Sequence, residues 1–227
     1  AVPPDYSGVA MAATAALVRR RARDLSLYCL PYSTVQADVL VGAGAVGAIE
    51  AAAVTLGEHG LAPRFTEAVE AGRIAMRDST CPALHTQLQA AEKGVPFMPL
   101  RGLLGTDILA NRPDWRVVDN PFAEGDPIVL LPAVSPYACL FHAARADAEG
   151  NVWIGRRREL ATLAHASRRT LVTVERIVEG SFFDEEDTAA GALPAFYVDA
   201  IALAPGGAWP CQLPGAYEAD EAAIAGY

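Results

Sequence analysis

Aromatic residues are scarce: Phe, Trp and Tyr make up 7% of the 227 residues. The 52% that are hydrophobic must therefore pack as Ala, Val, Leu and Ile, a composition suited to helices on a mostly parallel sheet. Cysteine is also sparse. The four thiols, at positions 29, 81, 139 and 211, form no C-x-x-C pair and no cluster with histidine. That excludes a zinc site or a disulfide framework and points to core thiols in a reducing cytoplasm. Long apolar runs are missing as well. The longest, "VLVGAGAVGAI", is far too short to span a membrane, and no signal peptide is visible. The chain begins at Ala1 rather than at a methionine, which leaves room for residues upstream. Positive charge is in the minority, with 18 Lys and Arg against 27 Asp and Glu, a net charge of −9. This argues against nucleic acid as the main partner. Two basic runs oppose the trend, Arg19 to Arg23 and Gly155 to Glu159. They read first as solvated helix faces or helix-end charges, and second as an anion site.

What is present is an alternation of helix and strand. Residues 8–23 read as a helix ending in positive charge, and "DLSLYCLP" as a buried strand stopped by Pro31. A helix over 61–72 closes at Gly72, "RIAMRDST" follows as a strand, and residues 82–94 form a helix from Pro82 to Gly94. "VPFMPLRG" is a strand, residues 103–115 a polar and glycine-rich connection, and "DPIVLLPAV" and "YACLFHAARAD" are strands. "ELATLAHASRR" is a helix, and "TLVTVERIV" and "FYVDAIALAP" are strands. Four or more alternations predict an α/β fold, an open, mostly parallel sheet with helices on both faces, in a single domain over 1–227.

Gly42, Gly44 and Gly47 spell G-x-G-x-x-G, the dinucleotide-binding pattern. That pattern needs a strand before it, a helix after it, and an acidic residue ending the next strand about 20 residues on. Here Pro63 and the helical spacing of Phe65, Ala68 and Val69 leave no strand at that place. The first acidic strand end is Asp78. The glycines are better explained by a tight turn and close backbone packing.

The most specific stretch is residues 141–180, with His142, Asp147, Gly150, Asn151, Ala161, Ala164, Val172, Val174, Glu175, Ile177 and Val178 in a characteristic order. Together with "DVLVGAGAV", "GVPFMPLRGLLGTDI" and "YVDAIALAPGGAWPCQLPGAYEAD", it resembles the family I coenzyme A transferases. The likeness is to the α subunits of glutaconate-type enzymes and runs from about residue 10 to the C-terminus. It implies the fold shared by CoA transferases and ribose-5-phosphate isomerase. There are departures. The family's amino-terminal G-G-F-x-x-x-G-x-P turn is not present, the chain starting near its end at Val2-Pro3-Pro4. Trp209 stands where histidine is usual, and Cys81 where many α chains, including those of ring-opening hydrolases, carry glutamate.

The resemblance implies chemistry through a glutamate that attacks the acyl-CoA thioester and then carries CoA as a glutamyl thioester. In the glutaconate-type enzymes that glutamate lies in a Ser-Glu-Asn-Gly-like segment of the β subunit. No S-E-N-G occurs here. No catalytic nucleophile is therefore expected in this chain; Glu58 and Glu175, in family-like segments, read as structural. The expected contribution is one wall of a substrate cleft at the carboxyl ends of the strands. Its candidate substrate-binding residues are Ser33, Cys81, Arg101 and His142. Ser33 offers a hydroxyl to a carboxylate or oxyanion, against a plain turn-forming role. Arg101 would pair with a substrate carboxylate, against an ion pair with Asp107. Cys81 at a helix start could be an activated thiol or an inert one. His142 could meet substrate or be a satisfied core histidine. The expected partner is a β chain of similar fold, with coenzyme A as substrate, no permanently bound cofactor and no metal. Nucleic acid and membrane are not expected as partners. A thioester hydrolase of the same family and a non-catalytic scaffold or ligand sensor are the alternative readings.

Overall fold

A computed structural model describes residues 1–227. After a turn over Pro3–Gly8, α1 (Met11–Arg19) leads into β1 (Leu25–Tyr28). Then come α2 (Val35–Gly42), β2 (Val46–Ala51), α3 (Pro63–Glu70), β3 (Ala75–Asp78) and α4 (Cys81–Glu92). The strands β1, β2 and β3 are parallel neighbours in that order. Alternation along β1 sets two faces. Leu27 and Cys29 pack with Leu40 and Val41 of α2 and Ala68 of α3. Tyr28 and Leu30 pack on the other side with Leu84 and Leu88 of α4.

The middle of the chain builds a separate antiparallel sheet. It holds β4 (Phe97–Leu100), α5 (Ile108–Asn111), β5 (Arg116–Asp119) and β6 (Pro127–Pro132), in the order β4-β6-β5. Its inner face, with Val129 and Leu131, closes over Leu103 and Trp115. The sequence pattern gives no signal for α5 or β5: each has only four residues, too few to show a period.

The chain then returns to the parallel layer through β7 (Cys139–Ala143), β8 (Ala146–Asp147), β9 (Val152–Trp153), α6 (Arg158–Ala166), β10 (Thr170–Val174) and β11 (Ile177–Val178). It ends with α7 (Glu186–Ala189), β12 (Ala192–Leu193), β13 (Ala200–Leu203) and α8 (Glu221–Ala225). β13, β10 and β7 are parallel neighbours, and α6 covers them with Leu160, Leu163 and Ala164. β11-β8-β9-β12 form a small mixed sheet. The stretch read as the single strand "TLVTVERIV" divides into β10 and β11. "FYVDAIALAP" is strand only from Ala200.

The first residues of the chain join the two parallel triplets. Val2 bridges in parallel to Cys29 and donates its N–H to Tyr28 O at 2.9 Å, while Leu140 donates to Ala1 O at 3.1 Å. The strands thus run β13-β10-β7-(Ala1–Val2)-β1-β2-β3, and the order reverses between β1 and β7. Gly8 receives the other side of this junction. His142 donates its N–H to Gly8 O at 2.7 Å, and a Cβ on Gly8, whose φ is +102°, would lie 2.0 Å from His142 O.

The glycine pattern is placed the opposite way round from a dinucleotide site. Gly42 ends helix α2, Gly44 turns the chain at φ +65°, and Gly47 lies in strand β2. A helix-to-strand turn aims no helix N-terminus at a pyrophosphate.

Candidate active-site crevice

The point where strand order reverses leaves a crevice at the carboxyl ends of the strands, where open α/β sheets hold ligands. The loops Pro3–Gly8, Leu30–Thr34 and Gly57–Gly60 meet there with the C-terminal segment 211–221. One cavity, of about 570 Å³, is lined by Asp5, Tyr32, Thr34, Glu58, His59 and Gln212 among others. A second, of about 660 Å³, is lined by Tyr6, Trp153, Arg157, Glu159 and Glu218, and shares Gln212 with the first.

One group here titrates near neutrality, and a nearby histidine is shifted below its ordinary pKa. Asp5 accepts the Thr34 N–H at 3.0 Å and the Thr34 hydroxyl. Burial pushes its carboxyl up to about 7, against the opposing Thr34 N–H, so it is poised to give or take a proton at neutral pH. His85 lies one turn after Cys81 on α4, half-buried. Burial lowers its pKa and the Glu159 carboxylate opposes, leaving a neutral imidazole. Cys81 is exposed at the first position of α4, which Thr80 caps by accepting the Ala83 N–H at 3.3 Å. The Tyr6 hydroxyl is held above its ordinary pKa by burial and then by the charges of Glu159, Cys81 and Tyr32.

The structure does not bring the four residues singled out from the sequence together. Cys81 stands near the crevice, on the same side as Tyr6. Ser33 is 1% exposed, its hydroxyl donating to Leu30 O at 3.4 Å, so it offers no donor to a ligand. His142 is wholly buried: Nδ1 lies 2.7 Å from Thr173 Oγ1 and Nε2 lies 2.7 Å from Glu175 Oε1. A buried imidazole with both nitrogens engaged has no free nitrogen to offer a ligand. Arg101 projects from β4 of the antiparallel sheet and pairs with Asp126, Nε to Oδ1 at 2.8 Å, rather than with Asp107. We expect Arg101→Ala to leave the melting temperature within about 2 °C of the wild type, as calorimetry will read, because an exposed ion pair contributes little; a larger drop would show that the pair is structural. Glu58 is exposed on the wall of the first cavity, and Glu175 is bound into the His142 network.

Sequence reasoning misses Asp5, Glu50 and Arg112. Arg112 is 2% exposed and donates from Nη1 to Glu50 Oε1 and to Asp78 O, both at 2.8 Å. Its Nε and Nη2 reach Asp114 at 2.9 and 2.8 Å, and its guanidinium lies 4.0 Å from the Trp115 ring centroid. "RPDW" carries a partial signal, an arginine two residues from an aspartate and three from a tryptophan. Nothing in it points to Glu50, 62 residues away.

Residues 6–204 match the coenzyme A transferase family model. The chain belongs to the coenzyme A transferase family. It is 31% identical over 204 residues to the A-subunit of glutaconate CoA-transferase from Acidaminococcus fermentans, covering 81% of this chain and 62% of that one. It superposes on the crystal structure of glutaconate coenzyme A-transferase from the same organism with a TM-score of 0.88 at 27% identity, covering 97% of this chain and 75% of that one. A crystal structure of a variant of the decarboxylase AibA/AibB matches with a TM-score of 0.87 at 30% identity, over 100% of this chain and 85% of that one. The chain spans between 42% and 74% of the lengths of the curated relatives it matches. No helix of this CoA-transferase-family chain is long and apolar enough to cross a membrane.

Proposed function

We propose that this protein is the α subunit of a heteromeric CoA transferase. It moves coenzyme A between an acyl-CoA and a carboxylic acid, with the glutamyl-CoA thioester formed on a β chain of similar fold. The observation that carries this reading is kinship, over 81% of the chain, with the A-subunit of glutaconate CoA-transferase, a relative whose very name makes it one member of a pair. Residues 1–227 act as one domain that supplies a wall of the substrate cleft, with coenzyme A as a substrate and no resident cofactor, in the cytoplasm.

In this reading the crevice residues bind and position, and protonate or deprotonate. Asp5, with its pKa near 7, and the neutral His85 are the groups able to exchange protons with a bound acid. Tyr6 and the Cys81 thiol stand beside them. The carboxylate nucleophile comes from the partner.

The test is isolation with the native partner, incubation with acyl-CoA, and borohydride reduction followed by peptide mass spectrometry. The expected result is reduction of one glutamate of the partner, none of this chain, and CoA transfer only when an acceptor acid is present. Covalent CoA on this chain would overturn the reading. A second reading is a CoA-thioester hydrolase, favoured by 32% identity over 127 residues to the cholesterol ring-cleaving hydrolase IpdA subunit, or a decarboxylase, favoured by 30% identity to the decarboxylase AibA/AibB over the whole chain. Thioester loss without an acceptor acid, or release of carbon dioxide, would select it.

A further inference from the structure

One buried cation has no anion beside it. Arg157 is 8% exposed, yet no carboxylate lies within 4.0 Å of its guanidinium. Its Nε donates to Ile154 O at 2.7 Å. Nη1 reaches Ser7 O only at 3.5 Å and Nη2 reaches Trp153 O only at 3.4 Å, the outer limit of a hydrogen bond. A guanidinium has five N–H donors, so two are unused here and two more are weakly held. Arg112 differs: as deeply buried, it holds both Glu50 and Asp114. The carboxylate whose field reaches Arg157 is that of Glu159, and it is occupied in accepting the Ser7 hydroxyl.

Burying an uncompensated charge costs several kcal/mol. Arg157 spends that cost on the wall of the 660 Å³ cavity, which it lines together with Trp153, Arg156 and Gln212. It is also the residue before the first turn of α6, and no side chain caps that helix start. Burial also lowers the Arg157 pKa, with Glu159 opposing, as befits a cation still lacking its counter-charge.

We infer that Arg157 is the anchor of a carboxylate subsite, in which its planar guanidinium takes the carboxylate of an organic acid entering through the crevice. A planar monoanion fits better than a phosphate dianion. Two parallel N–H donors match the two oxygens of a carboxylate, and Glu159 and Glu218 on the same cavity would repel a second negative charge. The inference rests on the reading that this crevice handles carboxylic acids, but its test needs no coenzyme A.

The full protein, with whatever partner chain accompanies it, is titrated by calorimetry with butyrate, glutarate and inorganic phosphate, all without CoA. The expected result is saturable binding of a carboxylate, weakened about tenfold or more by Arg157→Lys and left within about twofold by Arg168→Gln, an exposed arginine away from the cavity. Because a buried arginine can be needed for folding, a second measurement uses the unmutated protein. Butyrate, a monoanion, should protect Arg157 from modification by phenylglyoxal, read on its peptide by mass spectrometry. Absence of carboxylate binding, tighter binding of phosphate, unchanged affinity in a folded Arg157→Lys protein, or equal phenylglyoxal labelling with and without butyrate would each overturn the inference. Since no CoA is present, such a failure leaves the transferase reading standing. Carboxylate binding without any CoA transfer would fail that reading alone.

Discussion

Arg112→Ala lowers the melting temperature by roughly 10 °C, the largest loss we expect from a single substitution away from the crevice. The cause is the charge left behind. Glu50 is 7% exposed at the end of β2, and Arg112 is its ion-pair partner. Burial pushes the Glu50 carboxyl upward and Arg112 pulls it back, so without the guanidinium the glutamate must take up a proton or draw water into the core. Arg112 also ties Asp78 O at the end of β3 and stacks on Trp115, which closes the core of the antiparallel sheet. The loss is about 3–5 kcal/mol. Adding Glu50→Gln should recover part of it, because an amide buried in place of a carboxylate carries no charge to compensate. Calorimetry of both variants checks this. A double variant no more stable than Arg112→Ala would show that Glu50 is not the source of the penalty.

Glu175→Ala should release the C-terminal wall of the crevice. Glu175 accepts hydrogen bonds from Gly206 N at 2.8 Å, Gly207 N at 3.3 Å and Tyr217 Oη at 2.9 Å, and pairs with His142. Removing it strands the buried imidazole and frees the segment that carries Gln212 into the crevice. We expect a loss of about 3 kcal/mol and new proteolytic cleavage between residues 206 and 217, both absent from the wild type. The same network makes the protein acid-labile. Burial pushes Glu175 up, but the Gly206 N–H, His142 and Tyr217 outweigh it and hold the carboxyl below its ordinary 4.5. Its contribution is therefore present above that value and lost as pH falls through the folded-state pKa. Burial lowers His142 from 6.5, against Glu175, so a neutral His142 favours the fold above 6.5 and charging it below that favours the unfolded chain. In an Asp5→Asn background, which removes the opposite pH dependence of the raised Asp5 carboxyl, urea midpoints should decline from about pH 6.5 downward. A flat profile between pH 7 and pH 4, or a Glu175→Ala protein as protease-resistant as the wild type, would remove this network from the account.

Local periodicity made much of the fold legible. The helices α1, α3, α4 and α6 and the strands β1, β3, β4, β6, β7 and β10 follow from apolar spacing, Pro82 at a helix start, and Gly72 and Gly94 at helix ends. The same local logic rejected a dinucleotide site, since no strand ending in an acidic residue follows Gly42 at the required distance. The order of motifs from about residue 10 onward was enough to indicate the coenzyme A transferase family.

The crevice was much less legible. Of the four residues picked from the sequence, Ser33 and His142 are closed off and Arg101 belongs to the side sheet. Strand ends pointed to an edge of the sheet, but not to which side chains turn outward there. Asp5 was passed over because its raised pKa comes from burial under segments distant in sequence. Arg112 and Arg157 are alike as residue types and nearly alike in burial. Only tertiary contact separates the one that holds Glu50, 62 residues away, from the one that holds no carboxylate. By itself, then, the sequence determined the elements, their alternation and the family, because hydrophobic periodicity acts between residues a few positions apart. The tertiary structure alone decided which strands became neighbours, which charges were paired and which were left facing a cavity. Those depend on burial and on contacts between residues tens of positions apart, which no local spacing encodes.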